Sequence, residues 1–142
     1  MALLDVNALV ALVWDSHVHH AAIRRWFAEN GGRGWSTCPL TESGFVRVSS
    51  NPKVVPAPVG VTTARSVLSA LRALPGHRFL VDDVSIADPD VPTIVGHRQV
   101  TDAHLLTLAR RHGERLVSFD AGLSSLAEGD DVELLGALLP PP

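Results

Sequence analysis

Apolar and polar positions alternate along the chain in a way that predicts strands and helices in turn. Residues 3–6 begin with two leucines and predict a short buried strand, and Asn7 is expected to cap the helix that follows. Apolar residues at helical spacing predict a second helix over residues 16–30, which ends at a Gly-Gly pair. Residues 34–38 are a further strand candidate.

The rest of the chain continues this alternation. Pro39 suits the first turn of a third helix, Thr101 is expected to cap a later one, and the prolines within residues 52–60 predict a loop. Helices are expected at residues 39–50, 62–74, 100–113 and 121–128, and strands at residues 77–83, 115–119 and 132–136.

Strands that alternate with helices favour a parallel sheet with right-handed crossovers. The expected fold class is therefore α/β, a three-layer α/β/α sandwich around a parallel sheet of about four or five strands. The 142 residues fit one domain over residues 1–142, without an internal repeat or a second domain. The three prolines at 140–142 are expected to form a loose tail.

Composition excludes several classes of protein. Hydrophobic residues make up 46% of the chain and charged residues 19%, a balance typical of globular proteins. The formal charge of -3 gives no general attraction to nucleic acid, although a local basic patch can accompany an acidic pocket. Cys38 is the only cysteine, so an internal disulfide is impossible. The longest apolar run, residues 8–14, is too short to cross a membrane, and no basic segment precedes it, so we expect a soluble, cytoplasmic protein.

Four acidic residues are expected at one edge of the sheet. Ligands bind beyond the carboxyl ends of the strands in open parallel sheets. Asp5 lies near the end of the first strand, and Asp120 follows the strand at residues 115–119. Glu42 and Asp102 lie in the first turns of helices that begin at the same edge. Each acid alone fits helix capping or the helix dipole, but four at one edge indicate a shared site.

Such a cluster of carboxylates requires positive charge. Asp5 lies in an apolar run, and no Lys or Arg precedes Arg24. Without compensation, clustered carboxylates repel one another and some must hold protons at pH 7. All-oxygen ligation suits Mg²⁺ or Mn²⁺, ions that promote phosphoryl chemistry. The pattern therefore predicts a divalent cation as the partner of Asp5.

Four segments of the chain match a known family in order and spacing. They read "LLDVNALVAL", "CPLTESGFVRV", "GHRQVTDAHLLTLA" and "RLVSFDAGL", and they span nearly the whole sequence. In these segments the chain resembles the PIN-domain ribonucleases, and specifically the VapC toxins of type II (VapBC) toxin–antitoxin systems. The segments that contain Glu42 and Asp102 are specific signals, whereas an Asp-x-Asn motif alone would be weak.

The resemblance implies a catalytic metal site and a role for each acid. Asp5 and Asp102 are implied as the main direct ligands of Mg²⁺ or Mn²⁺, and Glu42 and Asp120 as the acids that complete the site. Many PIN domains carry a further acid just after the fourth, where this chain has Gly122. We therefore expect four acids and one firmly held ion.

Other polar residues near the acids are candidates for supporting roles. By the same resemblance, Asn7 and Thr101 lie beside the site and orient an acid or a water molecule. Arg47 and Arg98 are the favoured candidates for contacts with RNA phosphates because they flank the acidic segments.

The resemblance also implies an activity and its partners. The implied reaction is metal-dependent endonucleolytic hydrolysis of structured RNA of the translation machinery, either tRNA or rRNA. A VapB-like antitoxin is implied to bind the enzyme and neutralise it, and family members commonly form homodimers.

Two other functions are compatible with acids at a sheet edge. Phosphatases and receiver domains usually bring a lysine to that edge, but the only lysine here, Lys53, lies in the proline-rich loop. A non-catalytic binding module on a PIN scaffold would be indicated by the loss of one or more acids, and all four positions are filled. Endoribonuclease activity is therefore the favoured function.

Overall fold

The computed structural model describes residues 1–136 and contains a five-stranded parallel sheet flanked by five α-helices. The strands are β1 (Ala2–Leu4), β2 (Trp35–Thr37), β3 (His77–Phe79), β4 (Arg115–Ser118) and β5 (Val132–Leu134). The helices are α1 (Val6–Val13), α2 (His20–Asn30), α3 (Pro39–Ser49), α4 (Val61–Arg72) and α5 (Val100–Arg111). The strand order is β3-β2-β1-β4-β5, so the first strand lies at the centre of the sheet.

Helices pack on both faces of the sheet, which confirms the predicted three-layer α/β/α fold. Successive residues of a strand face opposite sides, so each central strand contributes to two apolar layers. Leu4 and Val117 belong to one layer, together with buried residues of α1, α2, α3 and α4. Leu3 and Leu116 belong to the other layer, which is covered by α5.

The contact between α1 and α3 depends on a glycine. A methyl group placed at Gly44 would lie 2.5 Å from a side-chain carbon of Val6, closer than such atoms can approach. Only glycine therefore allows α3 to pack this closely against α1. Because Val6 follows Asp5 and Gly44 lies two residues after Glu42, this packing fixes two acid-bearing segments against each other.

The two predicted helix caps were wrong. Asp5, not Asn7, is the N-cap of α1, because β1 ends at Leu4 and the Asp5 carboxylate accepts the N–H of Val6. The N-cap of α5 is Gln99 instead of Thr101, because a 3₁₀ turn precedes the helix. Both caps therefore lie two residues before the predicted ones.

Most elements are also shorter than predicted. The helix α2 begins at His20 instead of residue 16, and the helix expected at residues 121–128 is a 3₁₀ turn, Ala121–Ser125. The longest helices have 12 residues. In the part of the chain that the structure describes, no helix is long and apolar enough to cross a bilayer. The predicted tail at 140–142 lies outside the described residues.

A long connection between β3 and α5 is attached to the end of α5 by one arginine. The Arg111 guanidinium donates hydrogen bonds to carboxylate oxygens of Asp88 and Asp90, both at 2.7 Å. These charge-assisted bonds hold the loop against the last turn of the helix. They lower the pKa of Asp88 and Asp90.

Candidate active site

Asp5 lies at the junction between β1 and α1, and the residue is only 6% exposed. Its Oδ1 accepts the N–H of Val6 at 2.7 Å, and its Oδ2 accepts the hydroxyl of Ser118 at 2.7 Å. Burial raises the pKa of Asp5, although both hydrogen bonds oppose this rise. The side chain is thus held firmly in one orientation.

Ser118, the last residue of β4, connects the polar side chains of this edge. Its fully buried hydroxyl donates to Asp5 and accepts both the side-chain N–H of Asn7 at 3.1 Å and the backbone N–H of Asp120 at 3.0 Å. The side-chain carbonyl of Asn7 in turn accepts a hydrogen bond from the backbone N–H of Phe119 at 3.1 Å. Asn7 therefore ties the start of α1 to the segment that follows β4.

Asp120 is the exposed acid of this edge. Its Oδ1 accepts the N–H of Gly122 at 2.9 Å, so the carboxylate caps the 3₁₀ turn that follows. Asp102 lies in the first turn of α5, where burial and the negative charges of Asp120 and Asp5, which act on its carboxylate, raise its pKa. The structure therefore brings Asp5, Asp102 and Asp120 into one cluster.

The electrostatics of this three-acid cluster are unfavourable. Burial raises the pKa of Asp102 to about 7, with further contributions from the negative charges of Asp120 and Asp5. Within residues 1–136, none of these three carboxylates forms an ion pair with an arginine, lysine or histidine. Carboxylate oxygens with no internal cation are a donor set that suits Mg²⁺ or Mn²⁺.

Glu42 is engaged by other partners. Its Oε2 accepts the hydroxyl of Thr37 at 2.6 Å and lies 3.4 Å from Nε of Arg72 on α4. Because the Thr37 proton goes to the carboxylate, the ring nitrogen of His77, at 2.8 Å from the same hydroxyl, must be the donor to Thr37. Burial and the neighbouring Arg72 lower the pKa of His77, which keeps the imidazole neutral.

The four acids therefore do not form one ready-made ligand set. No group of three or more His, Cys, Asp and Glu side chains within the described range is arranged to hold a metal ion as it stands. The charges that act on Asp102 come from Asp120 and Asp5, while Glu42 is paired with Arg72. The catalytic and metal-binding roles assigned to the four acids stay predictions.

The remaining candidates differ in their position relative to this edge. Asn7 supports the cluster through Ser118, whereas Thr101 is exposed and its side chain forms no hydrogen bond within residues 1–136. Arg47 is exposed on the last turn of α3, and Arg98 is exposed in the 3₁₀ turn before α5. Both arginines are accessible to a large ligand, and their contact with RNA stays a prediction.

Sequence reasoning missed three residues that position the acids. Ser118 holds Asp5, and Thr37 and Arg72 hold Glu42. Ser118 and Thr37 share a signal, because each is a polar residue at the last position of an otherwise buried strand. Arg72 carries no such signal, since its contact depends on how α4 packs beside α3.

Comparison with known proteins identifies the family. Residues 2–129 match the PIN domain. Ribonuclease VapC38 of Mycobacterium tuberculosis is 72% identical over 128 residues, which cover 90% of this chain and 91% of the relative. The chain belongs to the PIN-domain VapC family. The resemblance noted in the sequence is thereby confirmed.

Two solved structures share the fold of this VapC-family chain. VapC20 of Mycobacterium tuberculosis, described as a sarcin–ricin loop cleaving toxin, aligns with a TM-score of 0.65 and 14% identity over 92% of this chain and 98% of that one. VapBC2 from Rickettsia felis, bound to a DNA fragment from their promoter, aligns with a TM-score of 0.65 and 11% identity over 94% and 98%. At these identities the likeness supports the fold alone.

Proposed function

We propose that this VapC-family chain is the toxin of a type II toxin–antitoxin pair and acts as a Mg²⁺- or Mn²⁺-dependent endoribonuclease. Its substrate in this proposal is structured RNA of the translation machinery, tRNA or rRNA. The name of VapC38, a ribonuclease 72% identical to this chain, supports ribonuclease activity.

One observation carries the proposal: three carboxylates, Asp5, Asp102 and Asp120, share one sheet edge without an internal cation. A purely structural cluster would be expected to include an arginine or lysine, because uncompensated like charges destabilise the fold. Perturbed acids in such a position are typical of functional sites. A divalent cation would remove the repulsion, with Asp5, Asp102 and Asp120 as ligands and Glu42 as the acid that completes the site.

The residues of this chain have distinct tasks in RNA cleavage. Ser118 and the Val6 N–H fix both oxygens of Asp5, so this carboxylate is oriented before any ligand arrives. Asn7 fixes the backbone before Asp120 and thereby the separation between Asp5 and Asp120. Asp102 loses its proton near neutral pH and then contributes a full negative charge to the site. When bound, the metal supplies Lewis-acid stabilisation of the negative charge that develops on the phosphodiester, and it activates water.

Partner binding belongs to the same proposal. The Rickettsia felis relative of known structure is a VapBC assembly, which supports a VapB-like antitoxin for this chain. We propose that the antitoxin neutralises the enzyme, and that the toxin forms a homodimer. Sedimentation of the purified toxin, with and without its antitoxin, tests both associations.

The experiment that tests the activity is cleavage of total bacterial RNA by the purified, antitoxin-free protein. Reactions contain Mg²⁺, Mn²⁺ or EDTA, and new 5′ ends are mapped by sequencing. The matched variants are Asp5→Asn and Asp15→Asn, because Asp15 is an exposed acid outside the cluster. We expect discrete cuts that disappear with EDTA and decrease on the order of 10³-fold in Asp5→Asn, while Asp15→Asn cuts as the wild type does.

Two other outcomes would contradict the proposed nuclease activity. Cuts that persist in Asp5→Asn would assign cleavage to a contaminant or another site. Absence of cleavage with either metal would favour the non-catalytic binding module, which the engagement of Glu42 by Arg72 also allows.

A further inference from the structure

A groove runs between α3 and α4 and has Glu42 in its wall. Its volume is about 680 Å³, within the range of roughly 300–1,000 Å³ found for ligand pockets. Its lining includes Glu42, Arg47, Arg65 and the aromatic ring of Phe79.

Two arginines in this groove have no internal counter-charge. Arg47 lies on α3 and Arg65 on α4, and both are exposed. Neither guanidinium forms an ion pair or a hydrogen bond within residues 1–136, in contrast to Arg110 and Arg111, which bind aspartates at 2.6 and 2.7 Å. Two unpaired cations on facing helices are therefore available for an anionic ligand.

An aromatic ring lies beside these cations. Phe79, at the end of β3, is an aromatic residue that is 39% exposed. The guanidinium of Arg72 lies 4.8 Å from the centre of this ring, and its Nε lies 3.4 Å from Glu42. Arg72 thus connects the aromatic ring to the acid at the end of the groove.

We propose that the groove between α3 and α4 binds a single-stranded segment of the RNA substrate, with Arg47 and Arg65 on its phosphates and Phe79 stacked against a base. Alternating cations and an exposed aromatic ring are the features by which proteins hold single-stranded nucleic acid. The inference rests on the proposed ribonuclease function. It deepens that function by naming the form of RNA that enters the site.

Charge complementarity favours RNA as the occupant. The chain has a formal charge of -3, and its acid cluster repels a phosphate backbone. Local cations near Glu42 offset this repulsion and guide the strand toward the cleavage site. A second copy of the chain would bring the same unpaired arginines to the groove, so like charges oppose a self-association role.

RNA binding in EDTA tests the groove separately from cleavage. A fluorescein-labelled 12-nucleotide single-stranded RNA is titrated with full-length protein, and anisotropy is recorded at several KCl concentrations. The variants are Arg65→Glu, Arg47→Glu and Phe79→Leu. The control is Arg33→Glu, because Arg33 is exposed before β2, at the opposite edge of the sheet, and its substitution changes the net charge equally.

We expect each groove variant to weaken RNA binding about tenfold, whereas Arg33→Glu changes it less than about twofold. Each lost phosphate contact should also reduce the slope of log K against log salt by about 0.7. Arg65→Lys retains the charge and should retain most of the affinity. Circular dichroism verifies that the exposed substitutions leave the fold unchanged.

Three results would overturn the inference. Equal effects of Arg65→Glu and Arg33→Glu would show that only net charge matters. A change of oligomeric state in Arg65→Glu with unchanged RNA affinity would assign the groove to self-association. Cleavage in Mg²⁺ separates the groove proposal from the nuclease proposal. If the wild type cuts RNA and the groove variants bind and cut RNA as well as the wild type does, only the groove proposal is refuted. A wild type that binds through the groove but never cuts refutes only the nuclease.

Discussion

Two groups of aspartates in this chain differ in what surrounds them. Asp88 and Asp90 lie on the surface and share the guanidinium of Arg111, which lowers the pKa of each. Asp5 and Asp102 lie at the sheet edge, where burial and neighbouring acids raise the pKa, to about 7 for Asp102. The negative charge of an aspartate is thus offset by an arginine at one place and has no counter-charge within residues 1–136 at the other.

The difference shows where the fold retains a charge repulsion that lowers its stability. Arg111 offsets the charge of its aspartates, so that group is complete without a ligand. The sheet-edge acids lack such a partner within residues 1–136, and their repulsion opposes folding at neutral pH. Acids that the chain leaves uncompensated are therefore the better indicator of a ligand site than acids that are merely clustered.

Among the substitutions considered, Asp102→Asn should have the largest effect on melting temperature and RNA cleavage. The amide removes one negative charge from the cluster, so the metal-free protein should melt at a higher temperature than the wild type. RNA cleavage in Mg²⁺ should fall on the order of 10³-fold, since an amide is a poorer ligand for a hard cation. Differential scanning fluorimetry and the cleavage assay measure both effects. A variant that loses stability without metal would refute the repulsion argument.

The pH dependence of stability should differ between the two groups. The pKa of Asp102 is about 7 in the folded protein and near 3.8 in the unfolded chain, so the folded state binds this proton more tightly. The stabilisation is present below about pH 4 and is lost as the pH rises to about 7. Metal-free protein should lose melting temperature over this interval, and Mg²⁺ should restore more at pH 8 than at pH 5.

For Asp88 and Asp90 the direction is opposite. Their lowered pKa values contribute stability above the unfolded value of 3.8, and this contribution disappears as the pH falls through the folded-state values. Comparison of the wild type with Asp102→Asn isolates the neutral-pH component. A slope that persists unchanged in the variant would assign that component to another group.

Ser118→Ala should have an intermediate effect. The substitution removes the hydroxyl that orients Asp5 and leaves the carboxylate itself in place. We expect Mg²⁺ affinity or cleavage to decrease about 10- to 100-fold, as for other residues that orient metal ligands. Isothermal titration with Mn²⁺ measures the affinity, and Ser124→Ala, at an exposed serine, is the control. Wild-type affinity in Ser118→Ala would show that Asp5 needs no such support.

Arg111→Ala should have the smallest effect. Its partners are solvent-exposed, and exposed ion pairs contribute little to stability. We expect a small decrease in melting temperature, and this difference from the wild type should be smaller at high salt because salt screens exposed ion pairs. RNA cleavage should be unchanged. A large loss of activity would show that the loop between β3 and α5 takes part in the site.

Sequence patterns predicted the architecture because the architecture depends on the periodicity of apolar residues. The order of helices and strands, the parallel sheet and the edge where Asp5 and Asp120 emerge all follow from apolar spacing and chain direction. The caps were harder to predict. Asp5 and Asn7 are both good N-cap residues, and only the end of β1 at Leu4 decides between them.

The contacts of Glu42 show what the sequence could not supply. Its position at the start of α3 was predictable, but its engagement with Arg72 depends on the packing of α4 against α3. The link from Ser118 to Asp5 spans 113 residues. A polar residue at the end of a buried strand is visible in the sequence, but the partner that it contacts depends on tertiary packing.

The central position of β1 has a consequence for the order of assembly during synthesis. β1 pairs with β4, so Leu4 meets Val117 across nearly the whole chain. Contacts of such high sequence separation form late, after the intervening loops have closed. A nascent chain that has not yet released β4 from the ribosome lacks Ser118 and Asp120 and cannot orient Asp5. The topology thereby delays assembly of the site until the segment 113 residues after Asp5 has been synthesised.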